Sequence, residues 1–99
     1  MYENIFDLSG KVAVVTGGAQ GLGLAMGQAL ANAGANLVIM DINLEKSKLE
    51  TEKIRTEYGV ETLAFQADVR KQKEVEDVVT RVTEHFGKLD IFVNNAGIC

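Results

Sequence analysis

The sequence predicts an α/β fold in which a parallel sheet of four strands alternates with three helices, in the order β-α-β-α-β-α-β. Three observations carry this expectation. Short apolar, β-branched runs alternate with longer segments of helical period, which indicates β-α-β units and a parallel sheet. A glycine-rich bend, Thr16-Gly17-Gly18-Ala19-Gln20-Gly21-Leu22-Gly23, joins the first run to the first helical segment. The conspicuous polar residues fall just after the strand-like runs, and parallel strands bring all their carboxyl ends to one rim of the sheet.

Residues 1–9 read as an irregular lead-in, with Gly10 supplying the turn into the first strand. That strand, over 11–16, is β-branched and nearly all apolar, as burial on both faces requires. A helix over 21–33 follows, with apolar positions at Leu22, Ala25, Met26, Ala29, Leu30 and Ala33. Gly27 inside it costs about 1 kcal/mol against alanine and suits a helix packed closely on the sheet. The second strand, over 36–40, carries Leu37-Val38-Ile39-Met40 and ends at Asp41.

The helix over 43–58 is more polar. Leu44, Ser47, Thr51, Ile54 and Tyr58 share a face, while Leu49 lies off it. So thin a stripe places this helix near the outer edge of the sheet, with the alternating charges of 45–57 as its solvated side. The third strand, over 62–67, leads to Asp68-Val69. The helix over 71–86 has the clearest stripe: Val75, Val78, Val79, Val82 and Phe86 oppose Lys73, Glu76, Asp77, Arg81 and Glu84, and Gly87 follows as a C-cap. The fourth strand, over 89–94, is nearly all apolar, the pattern of a strand covered on both faces. Asn95-Ala96-Gly97 follow it.

At 99 residues the chain has room for one domain. Hydrophobic content of 46% and charged content of 24% are those of a soluble globular protein. A net charge of −4 argues against nucleic acid and anionic membrane as partners, and no apolar run approaches the ~20 residues of a membrane span. The acidic start, Met1-Tyr2-Glu3-Asn4, lacks the layout of a signal peptide. A single cysteine excludes an internal disulfide, and the cytoplasm is the expected location. Cys99 stands apart from any His or Cys cluster, so no metal site is expected. His85 follows a charged helical face and is assigned no catalytic role.

A bend from strand to helix leaves backbone N–H groups free at the helix start, where the helix dipole also favours an anion. Gly17, Gly21 and Gly23 therefore point to phosphate, although three glycines also suit a tight turn. Asp41 lies twenty positions beyond Gly21 (41 − 21), where an acid commonly takes a ribose hydroxyl pair. It also suits the N-cap of the second helix, a role for which Asn43 competes. Asp68 suits a strand-end turn or an N-cap, and Asn94 and Asn95 suit Asx turns. In the doubly wound order 3-2-1-4 a crevice opens between strands one and four, with Gly17 and Asn95 on its flanks.

The glycines depart from the common G-x-G-x-x-G pattern, which would need glycine where Met26 stands. The T-G-x-x-x-G-x-G run of 16–23, with Asp68-Val69 and Asn94-Asn95-Ala96-Gly97, instead resembles the cofactor half of a short-chain dehydrogenase/reductase, from about Leu8 to Ile98. The resemblance implies a Rossmann-type sheet, incomplete relative to the family's domain, with residues 1–99 as the N-terminal dinucleotide-binding part of a single domain. It implies that the glycine-loop residues Gly17, Gln20, Gly21, Leu22 and Gly23 bind the cofactor, with Asp41 and Ile42 after the second strand. By the same resemblance Asp68 and Val69 bracket the adenine and Asn94 steadies the sheet. Asn95, Ala96 and Gly97 line the adenosine ribose and the approach to the nicotinamide.

In that family the serine and the Tyr-x-x-x-Lys pair that carry the chemistry lie in the second half of the domain. Here Tyr2 and Tyr58 are followed four positions on by Phe6 and Thr62, and Ser9 and Ser47 stand elsewhere, so no catalytic residue is assigned. The chain is accordingly expected to be part of a larger enzyme and inactive alone, its exposed fourth strand leaving it loosely folded or dimeric. By resemblance the parent is an oxidoreductase that moves hydride between nicotinamide and a small-molecule alcohol or carbonyl compound, such as a sugar, a polyol or a 3-oxoacyl group, and a homo-oligomer. The alternative is a non-catalytic dinucleotide-binding or interaction module made of this half-fold alone. The expected cofactor is NAD. Asp41 accepts from the ribose hydroxyls and repels a 2′-phosphate, and the places where NADP-preferring members carry Arg or Lys hold Gln20 and Ile42-Asn43. Replacing Asp41 with alanine is expected to weaken NAD binding and leave the glycine loop intact.

Overall fold

The computed structural model describes residues 7–95; the lead-in before Asp7, and Ala96 and Gly97, lie outside them. Four strands, β1 (Val12–Thr16), β2 (Asn36–Asp41), β3 (Thr62–Gln66) and β4 (Ile91–Val93), alternate with helices α1 (Gly21–Asn32), α2 (Leu44–Tyr58) and α3 (Gln72–Phe86). The sheet order is β3-β2-β1-β4 and every pair is parallel. Val14 is in register with Val38 on one side and Phe92 on the other. Each boundary lies within about two residues of its expected position.

Alternation along the central strands divides the core in two. Val12, Val14, Val38 and Met40 face α3 and pack with its Val78 and Val82. Ala13, Val15, Leu37 and Ile39 face the opposite way and pack with Ala31 of α1 and Ile54 of α2. All five residues of β1 are buried, as expected of a central parallel strand.

The buried face of α1 is not the one its apolar residues suggest. Gly23, Gly27 and Ala31 are buried, whereas Ala25 and Ala29 are exposed and Leu22 is 61% exposed. Backbone proximity decides the orientation. A Cβ at Gly27 would lie 3.1 Å from Leu37 Cδ2, and one at Gly23 only 2.2 Å from the Gly17 carbonyl oxygen. The helix sits closer to the sheet than a face of side chains would allow.

Helix α2 follows the expectation: Ser47, Thr51 and Ile54 are buried, Tyr58 is half-buried and Leu49 is exposed. It packs over β2 and the edge strand β3. Its buried hydroxyls are satisfied within the helix, Ser47 donating to Asn43 O at 2.8 Å and Thr51 to Ser47 O at 2.9 Å, so the thin stripe leaves no orphaned polar group there. Buried Glu50 is met by Lys46 and Lys53. Helix α3 buries Val78 and Val82 and closes at Gly87, whose φ of 79° and N–H bond to Thr83 O form the cap.

Strand β4 departs from the expectation that both its faces are covered. Ile91 and Val93 pack on the α1–α2 side, but Phe92 on the other face is 40% exposed. Among the described residues that second face of β4 is covered only in part. Asp90 anchors the strand to β1: its N–H donates to Val12 O at 2.9 Å and its carboxylate accepts from Val12 N at 2.8 Å. That N–H holds the Asp90 carboxyl below the usual carboxylate range.

Candidate functional site

The carboxyl ends of β1, β2, β3 and β4 share one rim, and the glycine bend begins there. The Thr16 hydroxyl donates to Asn94 Oδ1 at 3.1 Å, tying β1 to the end of β4. Gly17 turns the chain with φ 62°, a left-handed value at which a side chain would be strained. Its N–H donates to Met40 O at 2.8 Å and its carbonyl accepts from Asn95 Nδ2 at 3.3 Å. Gly23 packs against this junction, since a Cβ there would also meet Asn95 Nδ2 at 2.6 Å.

Helix α1 starts without a side-chain cap. Gln20 occupies the N-cap in extended conformation, makes no capping bond, and the first turn holds no acidic residue. The first amides of a helix have no intrahelical partners, so this terminus offers donors and a positive dipole end to an anion.

Asp41 ends β2 beside the loop. One carboxylate oxygen accepts from Ala19 N at 3.1 Å and the other from Asn43 N at 3.0 Å. The cap of α2 is Asn43, whose side chain accepts from Lys46 N at 3.0 Å. Asp41 is therefore free of the capping role and faces the glycine loop.

After β3 the chain turns at Asp68, whose N–H donates to Glu74 Oε1 at 2.8 Å. Its carboxylate accepts from the backbone N–H of Arg70, and from Arg70 Nε at 3.0 Å and Nη2 at 2.8 Å. The guanidinium beside it pushes the Asp68 carboxyl down to about 2. Asp68 is a turn residue, and Lys71 holds the N-cap position of α3.

These ends enclose a cavity of about 430 Å³, bounded by Gly17, Asp41 and Ile42 on one side and Asp68, Val69 and Arg70 on the other. Met40 and Ala67 complete its wall. Five of the residues singled out by sequence, Gly17, Asp41, Ile42, Asp68 and Val69, thus meet at one space. Gln20, Gly21, Leu22 and Gly23 form the adjoining helix start instead of the wall, and Asn95 reaches the site through its bond to Gly17. Arg70 was not foreseen. Its signal was the Asp-x-Arg spacing directly after a strand, which lets a carboxylate and a guanidinium fold onto one another.

Residues 11–99 match the family model described as short chain dehydrogenase. The chain belongs to this family. Among its relatives, a diacetyl reductase [(S)-acetoin forming] of Staphylococcus epidermidis is 49% identical over 88 residues, covering 89% of this chain and 34% of the relative. The 15-hydroxyprostaglandin dehydrogenase [NAD(+)] of Bos taurus is 44% identical over 92 residues, covering 92% of this chain and 35% of its own length. In structure, the L-sorbose reductase of Gluconobacter frateurii, solved with NADPH and L-sorbose, superposes with a TM-score of 0.89 at 37% identity, covering 93% of this chain and 35% of that one. The chain spans about a third of the length of the relatives it matches. Within that third, the short-chain dehydrogenase sheet order and alternating helices are those expected from the sequence.

Proposed function

We propose that the protein is a NAD(H)-dependent oxidoreductase of the short-chain dehydrogenase family, in which these 99 residues hold the dinucleotide. The observation that carries the reading is the bond from Ala19 N to the Asp41 carboxylate. It sets an anionic acceptor beside an uncapped helix start, at the wall of a single cavity. In this reading the first amides of α1, with Gln20, Gly21, Leu22 and Gly23 around them, receive the pyrophosphate. Asp41 and Ile42 receive the adenosine ribose, and Asp68 and Val69 border the adenine. By the family resemblance Asn95 would line the adenosine ribose and the approach to the nicotinamide. When bound, the dinucleotide supplies hydride exchange with an alcohol or carbonyl carbon.

The relatives differ in cofactor: the bovine enzyme is named for NAD(+), and the sorbose reductase was solved with NADPH. Asp41 supports NAD for this chain, because a carboxylate at the ribose accepts from two hydroxyls and repels a 2′-phosphate. The names of the relatives support a small hydroxy or oxo compound as substrate, and we extend the reading to a homo-oligomeric parent. The 99 residues alone bind the cofactor without turning over an alcohol.

The test is calorimetric titration of NADH and NADPH against the 99-residue chain. NADH should bind tighter by roughly tenfold or more, the equivalent of ~1.4 kcal/mol. Tighter NADPH binding would overturn the cofactor assignment, and no binding of either would overturn the dinucleotide site.

A further inference from the structure

Arg70 stands on the wall of the Asp41 cavity and also borders a smaller one, of about 260 Å³, shared with Thr16, Phe92 and Asn94. Arg70 and Val69 are common to the walls of both. Its side chain is 86% exposed, whereas that of Asp68 is 18% exposed. An ion pair so open on its cationic side adds little to folding. What the pair does do is fix orientation. Nε and Nη2 both donate to Asp68, and the Arg70 backbone N–H donates to the same carboxylate. These bonds favour one orientation of the guanidinium, which reduces the side-chain freedom lost on binding.

The surroundings narrow the class of ligand. Met40, Ala67, Val69 and Ile42 give the cavity an apolar wall, while Asp41 and Asp68 add acceptors. Arg70 offsets one of these two carboxylates and leaves the other uncompensated. An apolar wall, a planar cation and a carboxylate acceptor together suit a flat aromatic ring that carries N–H donors. A guanidinium stacks on such a ring through both its charge and its plane, which an ammonium lacks.

We propose that Arg70, oriented by Asp68 at the mouth of the Asp41 cavity, is a stacking residue for the adenine ring of the bound dinucleotide. This rests on the dinucleotide reading above and assigns a specificity-determining role to a residue outside the glycine loop. It is a binding role, remote from the reacting carbon.

The experiment compares the wild-type chain with Arg70→Ala and Arg70→Lys. Ligands are ADP-ribose, NADH and reduced nicotinamide mononucleotide, which lacks the adenine. Affinities are read by calorimetry, and melting curves report folding. Arg70→Ala should weaken ADP-ribose and NADH by about 3- to 30-fold, the span of exposed to desolvated cation–π contacts. It should leave the mononucleotide unchanged and lower the melting temperature only slightly, as loss of an exposed ion pair does. Arg70→Lys should restore affinity only in part, because it keeps the charge and loses the plane. Equal ADP-ribose binding by wild type and Arg70→Ala would overturn the stacking role alone, as would full rescue by lysine or an equal loss for all three ligands. Failure of the wild type to bind ADP-ribose or NADH would remove the dinucleotide reading and this role with it.

Discussion

Asp41 at the end of β2 holds the glycine loop as well as facing the cavity: its carboxylate accepts the backbone N–H of Ala19 at 3.1 Å. Ala19 is 1% exposed, so this amide has no ready access to water if the carboxylate is removed. The expectation that an alanine at position 41 would spare the loop is thereby revised.

Asp41→Ala should lower stability by about 1–3 kcal/mol, the cost of a buried amide left without a partner, and weaken NADH together with it. Asp41→Asn keeps a side-chain oxygen for Ala19 N and should recover most of that stability. It removes the charge, so NADPH should gain relative to NADH. Urea melts of the three proteins and paired titrations of the two cofactors check this. Full stability in Asp41→Ala would show that the bond to Ala19 contributes nothing.

The glycines of α1 should respond unequally to alanine. At Gly23 the new Cβ would stand 2.2 Å from Gly17 O and 2.6 Å from Asn95 Nδ2. Backbone on one side leaves little room to yield, so Gly23→Ala should cost roughly 1–3 kcal/mol or more and loosen the loop on which cofactor binding depends. At Gly27 the neighbour is Leu37 Cδ2 at 3.1 Å, the far end of a flexible side chain. There a helix-propensity gain of about 1 kcal/mol offsets the crowding, and the net change should be small. Denaturant midpoints of both variants decide the contrast; equal effects would contradict it.

The same two glycines show where sequence reasoning stops. Strand β1 and helix α3 were legible because their apolar residues are also their buried ones, Val12–Val15 in the strand and Val78 with Val82 in the helix. In α1 the apolar residues Leu22, Ala25 and Ala29 are exposed, because glycine permits an approach that hydrophobic periodicity does not register. The rim was legible for an analogous reason: strand direction alone assembles Gly17, Asp41 and Asp68. Arg70 reaches the cavity by a side-chain bond to Asp68, which depends on rotamers and not on strand direction. Phe92 lies in an apolar run, yet its face of β4 is only partly covered among the described residues.

Acid should unfold the protein partly through its low-pKa carboxylates. Asp68 is pushed down to about 2, first by the Arg70 side chain, and Asp90 is lowered first by Val12 N–H. Groups depressed in the folded state contribute fully above the unfolded value, near 3.9 for aspartate, and the contribution is lost as pH falls through the folded value. Stability should therefore drop between about pH 4 and pH 2, as urea midpoints across that range would report. Asp90→Asn should flatten part of the drop. In Arg70→Ala the Asp68 carboxyl should titrate nearer the ordinary range, only partly restored because the residue-70 backbone N–H remains, and carboxyl NMR shifts would reveal an unmoved titration if Arg70 were not the cause.

The outer side of β4 should govern self-association. Within the described residues β4 pairs with β1 alone, through Ala13, Val14 and Val15, and it carries Phe92 at 40% exposure. A strand edge with unpaired backbone groups and an exposed aromatic favours pairing with a second copy. Sedimentation velocity of the 99-residue chain should show dimers that grow with concentration. Phe92→Lys puts a charge on that strand, a device that natural edge strands use against pairing, and should shift the chain toward monomer. Phe92 is in register with Val14 but is not among the residues packed on the Val12–Val14 core, so the melting temperature should change little. A wild-type chain that stays monomeric at every concentration and melts cooperatively would contradict the role of this edge.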